Sequence, residues 1–196
     1  MSEFWLYAQL GFHHIADLAG YDHILFVAAL AIPYAISDWR RLAVLITAFT
    51  LGHSLTLALA TVQLLSVPST LVEALIPATI VITAALSWTA GHESVRPEPV
   101  AVGRYLMATG FGLIHGMGFS TYLRALLGEE EHITMPLFAF NVGLEVGQLL
   151  ILAVVLAAGA LLVPGILSRR VWVLIQVGAT GGLALMLLGQ RLFAAG

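Results

Sequence analysis

Residues 13–23 read HHIADLAGYDH, three histidines and two aspartates set between FWLYAQLGF (4–12) and ILFVAALAI (24–32). Both flanks have the composition of lipid-facing helix, so the environment of the polar stretch decides how the chain is built. In water, five ionisable groups would be ordinary surface chemistry. At the edge of a bilayer core they are expensive, and ionisable groups kept at such depth mark a pathway or a site.

The rest of the chain decides for the bilayer. Of 196 residues 60% are hydrophobic and only 10% charged, against roughly 25% charged in soluble domains, and the mean hydropathy is +0.97. Apolar runs measured against the roughly 20 residues that cross a membrane give candidate spans at about 22–37, 42–65, 70–90, 102–123, 136–163 and 171–191. Gly, Pro and charged residues gather between them, at SDWRR (37–41), LSVPS (65–69), GHESVRPEP (91–99), LLGEEEHITMP (126–136) and VPGILSRR (163–170). The segment Phe4 to Leu18 is apolar but interrupted by His13, His14 and Asp17. The expectation is an all-α integral membrane protein, one transmembrane helical domain over 1–196 with about six transmembrane helices, preceded by a short N-terminal interfacial or re-entrant helix.

Charge supplies an orientation. All eight basic residues are arginine. Arg40, Arg41, Arg96, Arg104, Arg169 and Arg170 fall in or beside the first, third and fifth connections, and only Arg124 and Arg191 on the opposite side. By the positive-inside rule both termini lie outside the cytoplasm, with Glu73 and the acidic run Glu129, Glu130, Glu131. The N-terminus has no positive region of the signal-peptide kind. A net charge of -3 without a basic run speaks against a nucleic-acid partner, and no GxxxxGK[ST] loop is present for ATP.

The chain has no cysteine, so any metal must take nitrogen or oxygen ligands. Counting 1.5 Å per residue, His53 and His115 each lie about 11 residues, roughly 16 Å, from the inner side, and Glu145 roughly 14 Å from the outer side. These three titratable groups on separate helices share the midplane. Asp22, His23 and Glu73 are expected above them, and His13, His14 and Asp17 further out, a ladder descending from outside. Asn141, Glu145 and Gln148 share one helical stripe, and Thr50, His53 and Ser54 another. Glycines 110, 112, 116 and 118 around His115 permit close approach. Imidazoles and carboxylates without sulfur suit a divalent first-row ion such as Ni, Co or Zn. His92 and His132 fall in connections and are expected to be solvated.

HHI with YDHILF, AFTLGHSLTLALA, VEALIP, FGLIHGMGFS and FNVGLEVGQ, in this order over about 11–150, resemble the HupE/UreJ family of bacterial membrane proteins, regarded as nickel or cobalt permeases. The resemblance implies the bacterial inner membrane and a metal signature of His, five residues, then Asp-His, whose pair falls on Asp22 and His23 and whose first His falls on His14. Here seven residues separate His14 from Asp22. His14 and His23 are therefore nine apart, about 180° around a continuous helix, and a straight helix cannot join them. Either Gly20 breaks the helix so that His14 folds back, or Asp17 replaces part of the outer site.

The expected activity is uptake or facilitated transport of a divalent transition metal through a site open to the outer face, with His14, Asp17, Asp22, His23, His53, His115 and Glu145 as candidate ligands. The alternative is an intramembrane Zn-dependent hydrolase, with Glu145 or Asp22 activating a bound water and Ser54 beside His53. The expected partners are the metal ion and the lipid bilayer.

Overall fold

In the computed structural model, the described residues are 2–18, 20–93, 102–127, 133–163 and 165–194. They form α1 (Glu3–Ala16), α2 (Asp22–Ala31), α3 (Trp39–Thr61), α4 (Ser69–Glu93), α5 (Val102–Leu127), α6 (Thr134–Leu162) and α7 (Arg169–Ala194), with a 3-10 turn at Ile36–Asp38. By length and composition, four helices can cross a membrane: α3, α4, α6 and α7. At 26 residues α5 is long enough, but His115, its glycines and its two arginines lower its hydropathy. This all-helical bundle is a multi-pass membrane protein.

The beginning of the chain departs from the span boundaries expected from hydropathy. The apolar run at 22–37 is helical only to Ala31, 10 residues, about 15 Å and half a bilayer. The short N-terminal helix α1 is present, and it dips into the bundle along α6. Phe4 meets Phe138, a Cβ at Gly143 would overlap the Ala8 carbonyl, and Gly147 faces Ile15. The contacts advance together, so α1 runs parallel to α6 from α6's starting end. At the other end of the bundle, Arg169 at the start of α7 donates to the carbonyls of Ile32 (2.9 Å) and Tyr34 (3.0 Å), just beyond α2. Thus α1 and α2 traverse the bundle as two half-length helices. The break between them contains Gly20 and falls mid-depth.

Three close pairings organise the remainder. α1 lies on α6, α4 on α7, and α3 on α5, while α2 is wedged among α4, α6 and α7. The α3–α5 seam is the tightest, since a Cβ at Gly112 would overlap the Phe49 carbonyl oxygen, one at Gly52 that of Thr109, and one at Gly116 that of His53. Backbone thus rests directly on backbone, the packing that small residues permit in lipid. Side-chain bonds close the α3–α6 seam: Thr47 to Glu145 (2.6 Å), Thr50 to Gln148 (2.8 Å) and Ser54 to Asn141 (2.6 Å).

Arg40, Arg41, Arg104, Arg169 and Arg170 share one end of this bundle, where Arg104 also donates to the Tyr34 hydroxyl at 3.1 Å. Arg124 and Arg191 lie near the opposite end, as do the beginning of α1 and the end of α7. Arg96, Glu129, Glu130, Glu131, His132 and the side chain of His92 lie outside the described residues.

Candidate metal centre

The break after α1 brings His14 back over the start of α2. Its ring centroid lies 4.8 Å from that of His23 and 6.1 Å from that of His53; His23 is 5.8 Å from His53 and 5.1 Å from His115. Four imidazoles from α1, α2, α3 and α5 therefore share one interior site. The expected ladder is corrected here: His14 and His23 stand level with His53 and His115, because the chain reaches mid-depth through α1 before α2 begins. Of the two routes open to the altered spacing, the structure takes the fold-back. His14 faces inward, and its neighbour His13 is exposed.

One ring nitrogen from each of His14, His23 and His53 lies within 4.8 Å of the others. Tetrahedral ligation at about 2.0–2.1 Å would place donor atoms roughly 3.3 Å apart, within reach of modest side-chain rotation. His23, His53 and His115 are buried, yet His14 Nε2, both nitrogens of His23 and of His53, and His115 Nδ1 lack hydrogen-bond partners among the described residues. Each unsatisfied buried polar atom costs about 1–3 kcal/mol. Six orphaned ring nitrogens on four clustered imidazoles, three of which bring a nitrogen within 4.8 Å of the others, suit a cation-binding site.

The surroundings fix the rings. Phe119 stacks near His14 (3.9 Å between centroids), and Phe26 and Phe49 flank His115 at 5.3 and 5.2 Å. His115 Nε2 lies 2.9 Å from Thr79 Oγ1, and that hydroxyl already donates to the Ile76 carbonyl at 2.7 Å. Its proton being spent, Thr79 accepts from Nε2–H, which leaves the His115 Nδ1 lone pair free to ligate. A metal-bound histidine is oriented by the same kind of outer bond. Asp22 Oδ1 lies 3.2 Å from His23 Nδ1, out of line for a hydrogen bond, and accepts from the His23 backbone N–H at 3.0 Å. One carboxylate thus adjoins the imidazole group and offsets part of the charge of an incoming cation.

The remaining candidates sit elsewhere. Asp17 is exposed at the helix break and stands outside the histidine group. Glu145 is half-buried on the α3–α6 seam against Thr47, also outside that group. Ser54 bonds Asn141 and the Thr50 carbonyl, so its hydroxyl is committed to that seam. Thr79 and the phenylalanine wall were not anticipated. A signal existed, because Phe49 precedes His53 by four residues, Phe119 follows His115 by four and Phe26 follows His23 by three, each about one helical turn away.

The sequence matches the family described as HupE / UreJ protein over residues 1–191. No curated protein and no solved structure matches the chain.

Proposed function

This chain belongs to the HupE/UreJ family, and from that premise we propose that it carries a divalent transition metal, nickel or cobalt, across the membrane through the buried imidazole group. The observation that carries this reading is the set of orphaned ring nitrogens on His14, His23, His53 and His115. The ion is cargo. His14, His23 and His53 hold it, His115 and Asp22 assist, and neutral imidazoles release it more readily than thiolates would.

Toward the arginine-rich end the way is shut by Phe26 stacked on Phe49 at 4.6 Å, with Leu30, Leu42, Leu45 and Ile46 almost wholly buried behind them. A cation cannot traverse that apolar layer, so delivery requires a rearrangement. Carriers of this kind rock closely packed units about a central site, and the three helix pairs supply such units.

Elemental analysis of detergent-purified protein, repeated after a mild chelator, tests the reading. About one nickel or cobalt per chain, removed by the chelator and restored on re-addition, is the expected result. Protein that never takes up either ion sinks it, and tightly retained zinc together with hydrolytic activity would make the protein an enzyme instead.

We also infer that the arginine-rich end is cytoplasmic. Since the chain has no cysteine of its own, Asp38→Cys should resist an impermeant thiol reagent in intact cells while Ser2→Cys reacts. The reverse pattern would invert the direction of transport.

A further inference from the structure

A cleft of about 110 Å³ opens beside the imidazole group, lined by Gly20, Tyr21, Asp22, Glu73, Pro77 and Arg191 among others. Its depth follows from the helices that form it. Glu73 is one turn into α4 and Arg191 one turn from the end of α7, so both stand at the mouth; Pro77 is a turn deeper, and Gly20 to Asp22, at the break between α1 and α2, lie at the deep end, Gly20 exposed and Asp22 half-buried. Arg191 Nη1 bonds Glu73 Oε2 across the mouth at 2.8 Å, with 52% of the arginine side chain and 45% of the glutamate exposed. An ion pair this exposed contributes little to stability and yields readily to a competing charge. Behind it, Asp22 Oδ1 lies 3.2 Å from the buried ring of His23, whose nitrogens have no hydrogen-bond partner. Pro77 has no N–H to give the Glu73 carbonyl, so a backbone oxygen on this wall lacks its usual helical donor.

Resting on the transport reading above, we propose that Glu73 and Asp22 form an outer station for a divalent cation, and that Arg191 is a tethered cation holding its place. With Arg191 seated, the guanidinium neutralises Glu73 and repels an approaching cation from the mouth. When Arg191 swings away, two carboxylates face one short channel, and a narrow low-dielectric cleft lined by one sign of charge concentrates the opposite sign. The arriving ion replaces the guanidinium on Glu73, passes to Asp22, and reaches His23 without crossing an apolar layer. Arg191 then returns to Glu73 behind it. The pair acts as a selectivity element as well, because an ion must compete with a guanidinium, which favours a doubly charged one.

Gly20, exposed at the deep end of the cleft, provides a reporter. A Cβ there meets only Asp17 Oδ2 at 3.7 Å, an ordinary contact, and Gly20→Cys would be the sole thiol in the chain. The experiment compares its rates of modification by two methanethiosulfonates of similar size, one carrying trimethylammonium and one carrying sulfonate, on the full-length protein in detergent. Arg191→Gln should raise the ratio of cation to anion rate roughly tenfold, and Glu73→Gln should lower it by a similar factor. Opposite shifts show that both charges act on the path to residue 20, and a faster association of nickel with Arg191→Gln, measured below, separates a gate from an ion pair that merely holds α4 to α7. Shifts in the same direction, no shift, or no modification in any variant would overturn the proposal.

In parallel, nickel is mixed rapidly with the cysteine-free chain, and Arg191→Gln should bind it faster. Opposite ratio shifts in a protein that never binds nickel would leave the ion-pair gate standing and remove the metal reading of the histidines. Nickel binding at an unchanged rate, with unmoved ratios, would remove the gate alone.

Discussion

Replacing His53 with alanine is expected to weaken nickel binding at least ~100-fold, because changing residues that merely orient metal ligands already costs roughly 10–100-fold and His53 lies at the centre of the group. Its ring is wholly buried, both its nitrogens are orphaned, and it adjoins His14 and His23 at once. The internal control is His13→Ala, one residue from His14 on the exposed face of α1, which should bind as the unaltered protein does. The measurement is the thermal midpoint with and without nickel, since a ligand that binds only the folded state raises it as its concentration exceeds Kd. The unaltered chain and His13→Ala should show the rise, and His53→Ala should lose it. Equal rises in all three would mean that the ion binds elsewhere.

A second large effect is expected where no ligand is touched. Gly112→Ala adds one methyl group that would overlap the Phe49 carbonyl oxygen and approach the His53 amide nitrogen at 3.0 Å. Neither backbone atom can turn aside as a side chain would, so α3 and α5 must separate, at a cost of about 1–3 kcal/mol. Both helices carry imidazoles of the site, so the same shift should also weaken nickel binding. Gly110→Ala, two residues away where nothing lies within 4 Å, should leave both properties near those of the parent. Thermal unfolding in detergent separates the two outcomes, and indistinguishable midpoints for the two variants would contradict the direct contact of α3 with α5.

These contrasts indicate what sequence can carry and what it cannot. The runs at 42–65, 70–90, 102–123, 136–163 and 171–191 correspond to α3–α7 because insertion responds to local hydropathy, and hydropathy is written residue by residue. The first crossing was less accessible. Residues 4–18 and 22–37 are both apolar and both short, and whether either lies on the surface or inside depends on α6, more than a hundred residues away. The ladder fails for the same reason: depth counted from an outer helix end at residue 22 sets Asp22 and His23 too high, and His14 higher still. His53 and His115 suffered no such error, since their helices are continuous. Asn141, Glu145 and Gln148 were rightly grouped on one stripe, but periodicity says which residues share a face and not what the face meets. The facing surface is Thr47, Thr50 and Ser54 of α3.

The parallel seating of α1 on α6 also constrains the order in which the protein can be made. Gly11 abuts the backbone of Phe140, and Gly143 that of Ala8, so α1 has no permanent seat until α6, more than a hundred residues later in the chain, has been synthesised. At about 5–20 residues per second the wait is on the order of ten seconds. Throughout it, a 14-residue helix too short to span the bilayer must remain at its surface or against provisional neighbours. His14 is carried on that helix, so the imidazole group is completed only when α1 has found its seat on α6, and until then a nascent chain holds no finished cluster.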